Sequence, residues 1–480
     1  MEQANSVSVP PSTSAEISSA EYFSQRQLKQ GTVGWLLLIG LGVAYVISGD
    51  FAGWNFGIAQ GGWGGMFVAT ILVAIMYLCL CLSMSEMATM MPTAGGGYSF
   101  ARAAFGPFGG YLTGTAILIE YAIAPAAIAV FIGGYCESLF GLNGWIVYLS
   151  CYLLFMGIHL KGAGEALKIM FAITLVAVIA LVVFVAAMAP HFSLQNLFDI
   201  PTTTATGASA FLPQGYLGIW AAVPFAIWFF LAVEGVPLAA EEAKDPAKSL
   251  PRGLIGAMLI LTAFAILILV LGAGAAGAST LQNSGAPLVD ALTKVYGTET
   301  WLATFVNFVG LAGLIASFFS IIYAYSRQIF ALSRAGYLPT SLSLTNKNKA
   351  PYLAIIIPGI IGFFLSLTRE GDSLILIAVF GATISYVLML LAHIKLRLSK
   401  PDMPRPYKTP GGIFTSIIAL VLAIAAVVAG FVVNPKVWFI AAAIYACFIA
   451  YFLFYSRYHL IKGTPEEEFA NIKAAEQEAK

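Results

Sequence analysis

Ile47-Ser48-Gly49-Asp50-Phe51-Ala52-Gly53 lies inside a run, residues 33–60, that is otherwise largely apolar. Such a run is long enough to cross a bilayer, whose hydrocarbon core takes about 20 residues of helix. An aspartate between glycines is a poor choice for the middle of that helix. Each Gly costs roughly 1 kcal/mol against Ala, and Asp at the bilayer centre costs about 2.5–3.5 kcal/mol on insertion scales. An interrupted helix, with Asp50 at the start of its second half, removes both penalties. Open backbone at membrane depth persists only where it lines a protein-walled cavity. A second stretch, Trp228-Phe229-Phe230-Leu231-Ala232-Val233-Glu234-Gly235-Val236-Pro237, gathers a carboxylate, a glycine and a proline in the same way. Paired broken helices in corresponding places of two halves point to a substrate site near the membrane midplane.

The rest of the chain fits a membrane protein. Of its 480 residues 59% are hydrophobic and 10% charged, against about 25% charged in soluble domains. Twelve apolar candidates follow one another, at roughly 33–60, 64–90, 108–136, 143–160, 164–189, 216–240, 252–276, 301–333, 352–368, 373–396, 413–433 and 436–457. The expected fold class is therefore an all-α polytopic membrane protein of 12 transmembrane helices. Residues 31–189 and 216–398 are read as two inverted repeats of five helices, the first and sixth helices being broken, with two appended spans in 399–458. Polar residues 1–30, without the apolar core of a signal peptide, are read as a disordered cytoplasmic tail. Residues 190–215 form an outside loop, and the charged residues 459–480 a second cytoplasmic tail. With both termini inside, every Lys and Arg except Lys294, Arg369 and Lys436 falls on the cytoplasmic side, as the positive-inside rule requires of an inner, cytoplasmic membrane. Residues 277–300 have room for a short outside helix.

Several function classes fall away. A net charge of +1 argues against nucleic acid as a partner, and the lipid bilayer takes that place. No phosphate-binding P-loop is present, which argues against an ATP-driven pump. No His, Cys or carboxylate grouping has metal-ligand spacing, so neither a metal nor another cofactor is expected, and no catalytic constellation marks an enzyme. Cys79, Cys81, Cys136, Cys151 and Cys447 fall nearly all in apolar stretches and read as packing residues.

Three longer motifs carry a resemblance. Glu86-Met87-Ala88, with Pro92 and Gly95-Gly96-Gly97-Tyr98, resembles the signature after the second helix of the amino acid–polyamine–organocation transporter family. Phe105-Gly106-Pro107-Phe108-Gly109-Gly110 continues it. Glu241-Glu242-Ala243-Lys244-Asp245-Pro246 with Leu250-Pro251-Arg252 is similar to that family's segment after the sixth helix. Ser326-Arg327-Gln328 through Leu338-Pro339 is similar to its eighth-helix ending. The resemblance implies the leucine-transporter fold, with substrate between the first, third, sixth and eighth helices. Within the family, Tyr45 to Phe51 and Ile119 to Ala129 most resemble ethanolamine permeases. Relatives also place a gating aromatic before the second break, which implies Phe229 or Phe230 here. Some carry a proton-taking lysine in the fifth helix, a place that falls near Ala177, while Lys168 lies nine residues earlier.

The residues themselves suggest the chemistry. In amino acid carriers of this fold, the half-helix start after the first break receives the substrate carboxylate, because free N–H groups and the helix dipole favour an anion there. Ser48-Gly49 leads here to the protein's own carboxylate, Asp50. An amino acid would meet like charge, and an amine without a carboxylate would meet opposite charge. Asp50 could equally serve only as a cap for the second half-helix. Glu120, beside Tyr121 in the third span, needs a cation, a hydrogen bond or a proton if it is buried. It is a candidate ammonium ligand, or a carboxyl satisfied by neighbouring groups. Glu234 is a candidate ligand or an acceptor for unpaired backbone N–H groups. Aromatic walls, from Tyr45, Phe51, Trp54, Tyr121, Trp228, Phe229 and Phe230, can hold an ammonium over a ring face. Asn55, Asn307, Ser317 and Ser320 are available to a substrate hydroxyl. Glu86 and Arg102, near the cytoplasmic end of the second helix, are candidates for gate or loop ion pairs.

The expected function is import of a small amine, ethanolamine first, by alternating access. An amino acid or diamine permease of the same fold is the alternative, and a membrane amine receptor or sensor is the alternative of another class. For the driving force, the residues leave open a proton at Glu120, sodium held by Ser317, Ser320 and first-helix carbonyls, or the membrane potential alone.

Overall fold

The computed structural model describes residues 31–461 apart from Thr32, Asn143 and 298–300. The expected tail 1–30, and the tail 459–480 from residue 462 on, lie outside the described residues. Nine helical segments among the described residues are long and apolar enough to cross a membrane. Three shorter apolar helices, Trp35–Val46, Trp145–His159 and Tyr352–Ser366, fall at the first, fourth and ninth of the expected spans. The helices used below are α1 (Trp35–Val46), α2 (Ser48–Phe51), α3 (Asn55–Met90), α4 (Gly97–Phe140), α5 (Trp145–His159), α6 (Ala163–Met188), α7 (Gly215–Trp228), α8 (Pro246–Leu267), α9 (Pro287–Tyr296), α10 (Trp301–Arg334), α11 (Tyr352–Ser366), α12 (Gly371–Ser399), α13 (Ile413–Val433) and α14 (Pro435–Phe454). A 3₁₀ segment, Val233–Glu242, follows α7. The short helix expected on the outside after residue 277 is α9.

Glycines mark where α3 and α4 turn. Gly62 has φ 71° inside α3 and separates the end of the first span from the start of the second. Gly106, with φ 78°, does the same in α4 just before Pro107, setting the loop helix of the Gly95-Gly96-Gly97-Tyr98 signature apart from the third span. The helices meet closely where side chains are small. A Cβ on Gly381 of α12 would stand 2.9 Å from the backbone nitrogen of Glu120 on α4.

The lipid-facing rim is visible from exposure. Phe439, Ile440 and Phe454 of α14, and Val176, Ile179 and Val182 of α6, are exposed apolar side chains. An all-helical chain presenting such a surface satisfies its backbone internally, as a bilayer demands. Buried polar residues lie instead inside the bundle, among them those on α2, α3, α4, α10, α12 and the 3₁₀ segment.

Candidate functional site

The first span is interrupted, but later than its sequence suggests. Ser48-Gly49-Asp50-Phe51 is helical, as α2, and Ile47 before it is also in the right-handed region. The chain opens at Ala52 (φ −159°, ψ 159°) and Gly53 (φ 97°), and helix resumes at Asn55. Asp50 therefore lies in the last turn before the break and not at the start of the second half, and it caps nothing. At the opening Gly53 takes a left-handed φ without strain, and the carbonyls freed there are met from distant parts of the chain. Gly49 stays helical because its missing Cβ lets α2 lie directly against the carbonyl of Trp228.

The carbonyls freed by the break find partners. Tyr135 Oη donates to the carbonyl of Phe51 at 2.9 Å, and Trp228 Nε1 to that of Ala52 at 3.0 Å. Asn55 Oδ1 accepts from the Gly53 N–H at 3.2 Å, while its amide donates to the carbonyls of Leu281 and Ser284, both at 2.9 Å. Asn55 is thus absorbed in structure. The second break turns at Ala232, which holds φ 77° without being glycine, and the 3₁₀ segment carries Glu234 away from it.

Three carboxyl groups are sealed inside. Asp50 and Glu120 are 0% exposed and Glu234 is 3%. Neither oxygen of Asp50 has a hydrogen-bond partner. Glu120 and Glu234, from different elements, come together: their carboxyl groups interact, though without a hydrogen bond of good geometry between them. Tyr121 Oη donates to Glu234 Oε1 at 3.3 Å. Tyr77 and Tyr386, whose hydroxyls lie 2.7 Å apart, face the same pair. The ion pairs among the described residues bring no Lys or Arg to any of the three carboxyls. Tyr77, from the second span, and Tyr386, from the tenth, were not singled out from sequence; an ordinary apolar helix pattern hides a tyrosine whose partners lie elsewhere in the chain.

The aromatic candidates divide. Phe229 stacks on Trp54 with centroids 5.9 Å apart, whereas Phe230 lies 5.5 Å from the ring of Tyr77, on the side of the acidic pair. The serines divide as well. Ser48 Oγ donates to Ser317 Oγ at 2.8 Å, and Ser317 Oγ to the Tyr45 carbonyl at 2.6 Å, tying α1 and α2 to α10. Ser320 instead donates to its own helix, at the carbonyls of Ala316 and Ser317, and does not reach the first helix. Ala177 is buried and Lys168 exposed, so no lysine side chain enters the interior from the middle of α6.

Two buried ion pairs close the end that the Lys and Arg distribution assigns to the cytoplasm. Arg334 donates to Glu241 at 2.7 Å, and Arg327 to Glu242 at 3.1 Å. Tyr323 also donates to Glu242, and the Ala94 N–H to Glu241 at 2.9 Å. The chain before α1 joins them: Val33 N–H donates to the Glu242 carbonyl at 2.9 Å, and Lys244 N–H to the Val33 carbonyl at 2.8 Å. Sequence reading missed this cluster as a unit. Glu86 does form ion pairs, with Arg397 at 2.5 Å and Arg405 at 3.0 Å, and it accepts from the Thr409 N–H at 2.7 Å. Arg102 is not among these partners; it packs by Gly110.

Comparisons with known proteins agree with this architecture. The profile of the family described as amino acid permease matches residues 23–454. A branched-chain amino acid permease of Bacillus subtilis is 26% identical, covering 78% of this chain and 82% of the relative. A D-serine/D-alanine/glycine transporter of Escherichia coli is 26% identical over 65% of this chain and 69% of the relative. A methylthioribose transporter of Bacillus subtilis is 24% identical over 80% and 83%. The names of these relatives concern amino acids or methylthioribose; they support the family and not the finer resemblance to ethanolamine permeases, which rests on short stretches of the matched length. The chain belongs to the amino acid permease family of the amino acid–polyamine–organocation transporters, and is a multi-pass membrane transporter of small molecules, not an enzyme.

Proposed function

We propose that the chain is a secondary carrier that imports a small organic amine, ethanolamine first among them, across the cytoplasmic membrane by alternating access. In this reading residues 31–189 and 216–398 are the inverted repeats, and Asp50, Glu120 and Glu234 form the polar interior with Ser48, Gly49, Tyr121, Phe229 and Phe230 around it. The observation that carries it is the acidic character of that interior: three buried carboxyl groups at or beside the broken helices, with no basic side chain among the described residues paired to them. A unit charge about 4 Å from another is worth roughly 4 kcal/mol at an effective dielectric of 20. A free ammonium gains from such a site, and an amino acid's carboxylate loses.

A neutral amino acid is the second reading, favoured by the names of the relatives. Uptake of labelled ethanolamine into proteoliposomes tests the choice, with alanine, leucine and putrescine as competitors. Ethanolamine is expected to be carried, and to be displaced by unlabelled ethanolamine at lower concentration than by alanine or leucine. Asp50→Asn and Glu120→Gln are each expected to cut uptake about tenfold or more, the worth of about 1.4 kcal/mol. Undiminished uptake in both variants, or preference for the amino acids, refutes the amine reading. Exchange of internal for external label separates a carrier from a receptor.

A further inference from the structure

Resting on the amine reading above, we infer that Glu120 and Glu234 act as one unit that always holds a single positive charge: a proton when the carrier is empty, the substrate's ammonium when it is loaded. Each amine carried inward then returns one proton outward. The two carboxyls come from α4 and from the 3₁₀ segment after the second break, are buried, and interact with each other. Two carboxylates sharing a dry site cannot both ionise without a cation between them. Among the described residues, the groups that face the pair supply no cation. They are Tyr121 from α4, Tyr77 and Cys81 from α3, Tyr386 from α12 and Tyr45 from α1, all neutral at physiological pH. The guanidinium near Tyr45, that of Arg327, is already paired to Glu242 at 3.1 Å. Asp50 is not among the groups that face the pair.

The charge count makes the exchange one for one. An empty pair with one proton carries a net charge of −1, and so does a fully ionised pair with one ammonium against it. The buried charge is then the same in both forms, and neither form is favoured by desolvation during the crossing. On the outside the carboxylic O–H breaks, its proton leaves to external water, and the ammonium donates to the two carboxylates. On the inside the ammonium leaves and one carboxylate takes a proton from the cytoplasm. The sum is ammonium in, proton out, with no net charge moved.

Proteoliposomes with a trapped pH dye test this at a pH where free amine is negligible, with protein-free vesicles as the baseline. Added ethanolamine is expected to raise the internal pH by about one proton per molecule taken up, and an acid interior to drive accumulation. A hundredfold potassium gradient with valinomycin, which would concentrate a singly charged uniported cation up to about a hundredfold, is expected to have no effect. The apparent affinity, read from tryptophan fluorescence, is expected to improve with pH by up to about tenfold per unit, because proton and ammonium compete. Glu120→Gln and Glu234→Gln are each expected to flatten that dependence and abolish the proton counterflow. Accumulation driven by the potential without an internal pH change overturns the exchange while leaving the amine reading intact. Proton and amine moving in the same direction does likewise. Absence of any ethanolamine uptake overturns both. The wild-type stoichiometry decides the matter by itself if the variants fail to fold.

Discussion

Ala232 holds φ 77° and ψ 2° at the second break, a conformation that costs an L-residue roughly 1–2 kcal/mol and glycine almost nothing. The turn is made although the residue is not glycine. Burial holds the strained residue, since Phe229, Phe230 and Val233 around it are all 0% exposed. Ala232→Gly is expected to be stabilising by up to about 1 kcal/mol, its own entropy cost offsetting part of the relieved strain. Ala232→Val should be strongly destabilising, because a β-branched residue tolerates this region poorly. Thermal unfolding in detergent, followed by size-exclusion fluorescence, checks both. A clear fall in the midpoint for Ala232→Gly would mean that the turn is not left-handed there.

At the level of elements, the two broken helices touch through Gly49, where a Cβ would collide with the carbonyl of Trp228 and stand 3.2 Å from the Phe229 Cα. Backbone cannot retreat as a flexible side chain can. Gly49→Ala is therefore expected to push α2 from α7, at the typical overpacking cost of 1–3 kcal/mol, and to lower transport about tenfold or more while the protein still inserts. Gly157→Ala on α5, where nothing lies within 4 Å, is the matched control and should transport normally. The existence of both breaks was legible, because Gly, Pro and carboxylates inside apolar runs have few other uses. The exact residue of the first break was not. It depends on who accepts the freed carbonyls, and Tyr135 and Trp228 reach them from 84 and 176 residues away. The meeting of Glu120 with Glu234 was hidden for the same reason: each carboxylate is visible alone, and what relates them is contact between distant parts of the chain, as where Tyr121 reaches Glu234 from 113 residues away.

For the whole molecule, the pairs Glu241–Arg334 and Glu242–Arg327 join the 3₁₀ segment to α10 beneath the acidic pair, and the Val33 bridge adds the start of α1. In the alternating-access reading proposed above, this is where the carrier parts to release its load inward. Removing one partner of a buried pair costs about 3–5 kcal/mol, because the other charge is left unpaired in a dry site. Opening to water relieves that cost, so Glu242→Gln should shift the population from the sealed form by about two orders of magnitude or more. Cys81 reports on it. It is 0% exposed in the sealed form and lies near Glu234. With the other four cysteines replaced by alanine, a membrane-impermeant maleimide should label Cys81 in inverted vesicles of Glu242→Gln much faster than in wild type. Right-side-out vesicles should show no such gain. Arg327→Met added to Glu242→Gln removes both charges and should return labelling towards the wild-type rate. Equal labelling from both sides would indicate general loosening of the bundle, and faster labelling in right-side-out vesicles alone would place this gate at the opposite face of the membrane.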